Sequence, residues 1–293
     1  MAAKLEQVQQ NKAFGGSITK YKFKSEALGG LETQFNLFIP EGASASSKVP
    51  LITYLAGLTC TEDTAAWKAG LLYPASKHSI ALLFPDTSPR GASIEGEDAD
   101  WDFGTGAGFY INASSPKWSK HYNMEKLILE EMQEVLKEFD GLDLERQSVM
   151  GHSMGGHGAL TFYLKGLTGG KSIYKCASGF APILNPLRCP WGVKAFEGYL
   201  QASRVLGKAH DATELIKKVE GKGVHILADY GTGDNFYKQG QLLPEAFVAA
   251  AQDTGLSKAR VDVREREGYD HSYYFVSTFV PEHVEWHAKL LKV

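Results

Sequence analysis

Two patterns of apolar and polar positions alternate along this chain. Ser17–Lys24 (SITKYKFK) and Thr33–Ile39 (TQFNLFI) repeat with period two, which reads as two half-buried strands. Gly29-Gly30 lies between them, so an antiparallel hairpin is expected. After a polar surface loop over 41–48, Val49–Ala56 and Ile80–Phe84 are continuous apolar runs, as in strands buried on both faces. From Met124 to Phe139 the spacing becomes helical, with Leu127, Ile128, Met132, Val135 and Leu136 on one face. Further strands are predicted around Ser148–Met150, Cys176–Ala181, Val224–Tyr230 and Ala259–Glu265. Helices are predicted from near Glu62, over Gly158–Lys165 and over Val280–Leu291. Buried strands alternating with helices imply an α/β fold, a right-handed, doubly wound and mostly parallel sheet with the hairpin at its N-terminal end. A single domain over 1–293 accommodates this pattern.

Two segments break the alternation. Glu95–Lys120 is rich in glycine and aromatic residues, and Asn185–Gly223 is a long insertion carrying Trp191 and two short helical patterns. Both follow predicted strand C-termini, where open α/β sheets form their ligand crevice. They are candidate pocket walls; the plainer alternative is that they only cover the sheet.

Composition narrows the class. With 43% hydrophobic and 22% charged residues, the chain is neither disordered nor fibrous. A net charge of −3 gives no electrostatic reason to expect nucleic acid or an anionic membrane as partner. The first residues, Met1–Val8, carry no apolar leader-like core, and no run nears the ~18 apolar residues of a membrane span. A soluble cytoplasmic protein is expected. Cys60, Cys176 and Cys189 are an odd set without metal-ligand spacing, which favours reduced thiols over a disulfide framework or a metal site.

The chemistry centres on Gly151-His152-Ser153-Met154-Gly155, a G-x-S-x-G motif between an apolar run and a helix-forming run. That is the context of a nucleophile elbow, a sharp turn that presents a strained serine and tolerates only small neighbours. A serine nucleophile needs a base and an acid that orients the base, in the chain order Ser, Asp or Glu, His. His271, in Gly268-Tyr-Asp-His-Ser272 after the last predicted strand, is the best-placed base. His283 and His287 share a helix face and read as surface or packing residues. Asp234, just beyond the strand ending at Tyr230, is favoured as the acid. Asp229, still within that strand, reads as structural, bonding loop amides, and Asp270 is a weaker rival because it adjoins the base. Backbone N–H groups of Met154 and of Leu58, in the loop after the third predicted strand, are the candidate oxyanion donors. His152 and His157 flank the serine and read as packing or hydrogen-bonding residues. For Cys60 two readings stand: a small buried hydrophobe, or a thiol at the mouth of the site.

Seven separated motifs extend the picture: Leu58–Asp63, Phe84–Gly91, Gly106–Ala113, Gly151–Leu160, Phe180–Pro182, Gln241–Pro244 and Gly268–Phe275. In order and content they resemble the S-formylglutathione hydrolase (esterase D) family, from about Lys20 to the C-terminus. The resemblance implies an α/β-hydrolase fold, no cofactor, a cytosolic setting and commonly a homodimer. It also implies hydrolysis of S-formylglutathione to glutathione and formate, with cleavage of small carboxyl esters alongside. Carried onto this chain, Ser153, Asp234 and His271 form the triad, the Leu58 and Met154 amides hold the oxyanion, and Cys60 lies near the site. Arg90, Lys194 and the acidic stretch Glu95–Asp102 are candidates to meet the charges of glutathione. Two stretches depart from the family: its acid-strand motif reads I-D-Q-G-x-x-D-Q-F, whereas here Tyr230 and Asn235 replace the two glutamines, and Ala209–Gly223 is less regular than the family pattern. Rival functions are a broad carboxylesterase or acyltransferase on the same fold, and a non-catalytic binding protein of that fold.

Overall fold

The computed structural model describes residues 4–219 and 223–292; Met1–Ala3 of the leader reading and 220–222 of the long insertion lie outside them. Its strands are β1 (Glu6–Ala13), β2 (Gly16–Ser25), β3 (Leu31–Ile39), β4 (Val49–Leu55), β5 (Ala81–Pro85), β6 (Leu142–His152), β7 (Tyr174–Phe180), β8 (Ile226–Gly231) and β9 (Val261–Arg266). They form one sheet in the order β1-β2-β3-β5-β4-β6-β7-β8-β9. Pairing is antiparallel from β1 through β3 to β5 and parallel from β5 through β4 to β9. The expected α/β-hydrolase architecture with its N-terminal hairpin is therefore present.

The hairpin pairs Tyr21 with Phe35 and Phe23 with Thr33, in the register that period-two alternation requires. Strand β1 has no signature in the sequence. Its residues, EQVQQNKA, are exposed almost throughout, so this edge strand is held by backbone pairing and has no buried face to create a periodic signal. The central strands behave as continuous apolar runs should: Leu51, Ile52, Leu82, Leu83 and Val149 are fully buried.

Helices α1 (Glu62–Lys68) and α2 (Leu72–Lys77) follow β4. The predicted Met124–Phe139 helix is α3 (Met124–Lys126) and α4 (Met132–Leu136) joined by a π turn, Leu127–Glu131, and its five apolar face residues are all buried. Helix α5 (Met154–Thr168) begins four residues earlier than expected, directly after Ser153, because Gly155 and Gly156 conceal a helix start in sequence. In the long insertion are α6 (Pro190–Tyr199), α7 (Ser203–Leu206), a 3₁₀ turn and α8 (Ala212–Ile216), followed after β8 by α9 (Asn235–Lys238) and α10 (Pro244–Asp253). The last helix, α11 (Tyr273–Leu291), starts well before the predicted Val280, capped by the Ser272 hydroxyl.

Helices α5 and α11 cover opposite faces of the sheet. Gly179 approaches Leu160 of α5, whereas its strand neighbour Ser178 bonds His287 of α11. The surface alternative for His283 and His287 is thereby corrected: both are fully buried, and their polar atoms face β6 and β7.

Candidate active site

The elbow is built as its sequence demands. Ser153 sits at φ 58°, ψ −118°, a conformation a non-glycine residue holds only under constraint. Its N–H donates to the Phe180 carbonyl (2.9 Å), and its own carbonyl accepts from His157 (3.0 Å) and Ile183 (3.3 Å). Small neighbours are obligatory, since a Cβ on Gly155 would lie 1.9 Å from the Leu55 carbonyl oxygen and one on Gly151 2.2 Å from that of Gly155. The turn thus brings β6, β4 and the start of α5 closer than any side chain permits.

The candidate acid and base come from the two neighbouring strand ends. Asp234 is fully buried; its Oδ1 accepts from the backbone N–H groups of Phe236 (2.7 Å) and Tyr237 (3.3 Å), capping α9. Its Oδ2 lies 2.6 Å from Nδ1 of His271. One carboxylate oxygen is anchored while the other orients the imidazole. His271 is held between two rings, His152 (centroids 4.6 Å apart) and Phe236 (4.8 Å). Asp270 turns instead to Ser272, 2.7 Å from its hydroxyl. Asp229 bonds Arg266 (2.7 Å) rather than loop amides.

The loop after β4 reaches the elbow from the other side, with a Cβ on Gly57 lying 3.1 Å from that of Ser153. Neither the Leu58 N–H nor the Met154 N–H donates to another group among the described residues; Met154 directly follows the serine, and Leu58 follows Gly57, which approaches it. Several contacts brace this loop. Tyr110 donates to the Ala56 carbonyl (2.9 Å), Thr59 N–H to Gly106 (2.9 Å), and the Cys60 carbonyl accepts from Thr87 (2.5 Å) and Arg90 (3.0 Å). Gly106 and Tyr110 belong to the Glu95–Lys120 excursion, whose role in part is to hold the loop in place.

Residues 25–291 match the family described as putative esterase. The chain is 45% identical to the S-formylglutathione hydrolase of Rattus norvegicus over 287 residues, covering 98% of this chain and 99% of that one. It is 45% identical over its whole length to the enzyme of Arabidopsis thaliana. The solved S-formylglutathione hydrolase of Agrobacterium tumefaciens superposes with a TM-score of 0.90 at 37% identity, covering 97% of this chain and 99% of that one. The chain belongs to the S-formylglutathione hydrolase family of esterases.

Several further candidates have partners that the sequence does not show. Arg90 is committed to Asp86 (2.6 Å) and to the Cys60 carbonyl, and Lys194 pairs with Asp100 (2.9 Å) and Asp102. Both cations already have carboxylate partners within the fold. Tyr230 and Asn235, the departures from the family motif, have simple accommodations: Tyr230 donates to Glu265 (3.0 Å) and packs on Tyr237, and Asn235 opens α9. Cys60 is half-buried, its Sγ 3.9 Å from the Tyr273 hydroxyl, and burial pushes its thiol above the ordinary value. Tyr273 in turn packs 5.4 Å from the ring of His152, linking Cys60 to the histidine that lies on His271.

His152 and His157 are packed as expected, and both stay neutral because burial lowers their pKa, His157 to about 3 and His152 well below its ordinary value. The aromatic wall was not read from sequence. Trp101, Trp191, Phe236 and His271 follow one another at ring separations of 5.7, 4.6 and 4.8 Å, so the two unassigned segments meet and run on to His271. Aromatic residues in long loops at strand C-termini were the available signal. Cavity size does not locate this centre: a groove of about 1080 Å³ lined by Lys24, Leu129, Gln133 and Glu138 lies elsewhere, with none of the site residues in its lining. Among the described residues no cluster of three His, Cys, Asp or Glu side chains is poised to hold a metal ion, and no helix is long and apolar enough to cross a membrane.

Proposed function

We propose that this chain is a serine thioesterase that hydrolyses S-formylglutathione to glutathione and formate. The observation that carries this reading is identity of 45% along the full length of enzymes bearing that name. Residue by residue, Ser153 is the nucleophile, His271 the general base and Asp234 its orienting acid. As the Ser153 hydroxyl attacks the formyl carbon, its proton passes to Nε2 of His271, and Asp234 stabilises the imidazolium. The oxyanion accepts hydrogen bonds from the Leu58 and Met154 amides, each contributing about 3–4 kcal/mol in the transition state. The C–S bond then breaks, and glutathione leaves with the proton held by His271. Water, deprotonated by the same imidazole, attacks formyl-Ser153; formate departs as the serine recovers its proton. The 2.6 Å contact between Asp234 and His271, the strained elbow and the two amides that donate to no other described group support these roles.

On the same reading a single domain spanning 1–293 acts without a cofactor, in the cytoplasm and as a homodimer. The deciding experiment is turnover of purified wild type and Ser153→Ala on S-formylglutathione, with small aryl esters in parallel. Wild type should turn over the thioester, and the variant should fall to the uncatalysed rate and lose labelling by a fluorophosphonate. A wild type that cleaves aryl esters but not the thioester is a general carboxylesterase. One that cleaves neither and resists labelling is a binding protein on this fold.

A further inference from the structure

One buried polar assembly lies outside the reaction just described. It starts at Ser148 on β6 and Ser178 on β7, crosses to His287 and His283 on α11, and ends at Asp229 on β8, with all five residues fully buried. Ser148 Oγ is 2.8 Å from His287 Nδ1, His287 Nε2 is 2.8 Å from Ser178 Oγ, and Ser178 Oγ is 3.0 Å from His283 Nδ1. The remaining ring nitrogen, His283 Nε2, points toward Asp229 Oδ2 at 3.7 Å. Donor counting gives this chain one consistent direction. Each serine hydroxyl donates to an Nδ1, the His287 Nε2–H donates to Ser178, and the His283 Nε2–H faces the carboxylate. Both histidines are neutral in that arrangement, in line with burial lowering the pKa of each.

Asp229 is where this chain meets the two loops that carry the acid and the base. Its carboxylate binds Arg266, the last residue of β9, at 2.7 Å. Arg266 is held in turn by Glu282 of α11 (2.8 Å) and lies over the Phe279 ring (4.0 Å). Burial alone would raise the Asp229 carboxyl, but His283 and Arg266 outweigh it and hold it below the usual value, so the group is ionised. Immediately beyond the pair the loops interlock. Thr232 N–H donates to the Arg266 carbonyl (3.1 Å), and Gly268 N–H donates to the Thr232 hydroxyl (2.8 Å). A Cβ on Gly231 would come within 2.1 Å of the Tyr269 carbonyl oxygen, so the backbones touch. Asp229 also reaches the elbow: its carbonyl accepts from Ala181 N–H (2.6 Å), and His283 stacks on Phe180 (4.0 Å), whose carbonyl holds the Ser153 N–H.

We propose that Asp229 is a positioning residue, an ionic hub that through Arg266, Phe180 and its own strand fixes the elbow, acid and base loops relative to one another. It rests on the reading of Ser153, Asp234 and His271 given above. A full negative charge is needed because Arg266 approaches one oxygen while the other, Oδ1, has no hydrogen-bond partner among the described residues. Asparagine there would either turn an amide N–H₂ toward the guanidinium or bury it unpaired.

The test uses Asp229→Asn, the milder Arg266→Lys, and the double variant Asp229→Asn/Arg266→Gln, which removes both charges. Active sites are counted by fluorophosphonate labelling run to completion, and kcat per labelled site and KM are measured with S-formylglutathione and with an aryl ester. Asp229→Asn should lower kcat per labelled site about 10–100-fold and Arg266→Lys about 3–10-fold, with KM within about twofold on both substrates. The double variant should recover at least part of the loss, because the guanidinium that would face the asparagine amide is gone. Normal kcat per labelled site in both single variants, even with a lower melting temperature or fewer labelled sites, would reduce Asp229 to a stabilising role and overturn the inference. If the wild type does not turn over S-formylglutathione, the substrate reading fails, while the aryl-ester arm still tests the hub.

Discussion

Replacing Asp234 by asparagine separates its two tasks, because the two carboxylate oxygens have different partners. Oδ1 caps α9 through Phe236 and Tyr237, and Oδ2 faces Nδ1 of His271 at 2.6 Å. An asparagine whose carbonyl keeps the cap must present its N–H₂ to His271. The imidazole can then only accept at Nδ1, which leaves its proton on Nε2, the nitrogen that should receive the Ser153 proton. Flipping the amide restores the tautomer but points an N–H₂ at two backbone donors, at a cost of about 1–3 kcal/mol. Both outcomes disable the base while the surrounding structure persists. Asp234→Asn should therefore lower kcat by about four orders of magnitude, about 5.5 kcal/mol. Melting temperature should move by no more than loss of an N-cap implies, about 1 kcal/mol. The assay is steady-state turnover of S-formylglutathione, with circular dichroism melts on the same preparation. Activity within about tenfold of wild type would refute the assignment and return Asp229 or Asp270 to consideration.

Other expectations follow from single contacts. Cys60→Ser should retain esterase activity but abolish sensitivity to thiol-modifying reagents; because burial raises this thiol, wild-type modification should be slow at neutral pH and speed up as pH rises. Unchanged sensitivity in the variant would leave Cys60 as a packing residue. Asp211, fully buried, caps α8 and is pushed up from 3.8 to about 6, chiefly by burial. With its folded pKa above the unfolded one, its contribution to stability is present below about pH 4 and lost as pH rises through about 6, on the order of 3 kcal/mol. Asp211→Asn should flatten the melting temperature across that window, and an unaltered pH profile would contradict it. Gly155→Ala, whose Cβ would lie 1.9 Å from the Leu55 carbonyl oxygen, should destabilise the protein by about 3 kcal/mol and lower turnover; a normal melt would show that the elbow is looser than described.

What could be read from sequence were features whose physics is local. Period-two alternation marked the β2–β3 hairpin, continuous apolar runs marked the buried parallel strands, and the glycines of G-x-S-x-G announced a turn too tight for side chains. Chain order nominated His271 and Asp234 because strand ends on one edge of a parallel sheet must lie together. Features without a local signature stayed hidden. Strand β1 is polar and exposed, so nothing in its pattern separates it from a loop, and only pairing with β2 makes it a strand. Arg90 and Lys194 looked free because a sequence does not show that Asp86, Asp100 and Asp102 already neutralise them. His283 and His287 were placed on one helix face, but whether that face met solvent or the sheet depended on how α11 packs. Packing against Ser148 and Ser178 turned an apparent surface pair into the buried polar chain that ends at Asp229. Sequence determined which residues can do the chemistry, since side-chain type and backbone freedom are properties of each residue. Tertiary structure alone decided which of them are paired, neutral or held in place, since hydrogen bonding and desolvation depend on neighbours from distant strands.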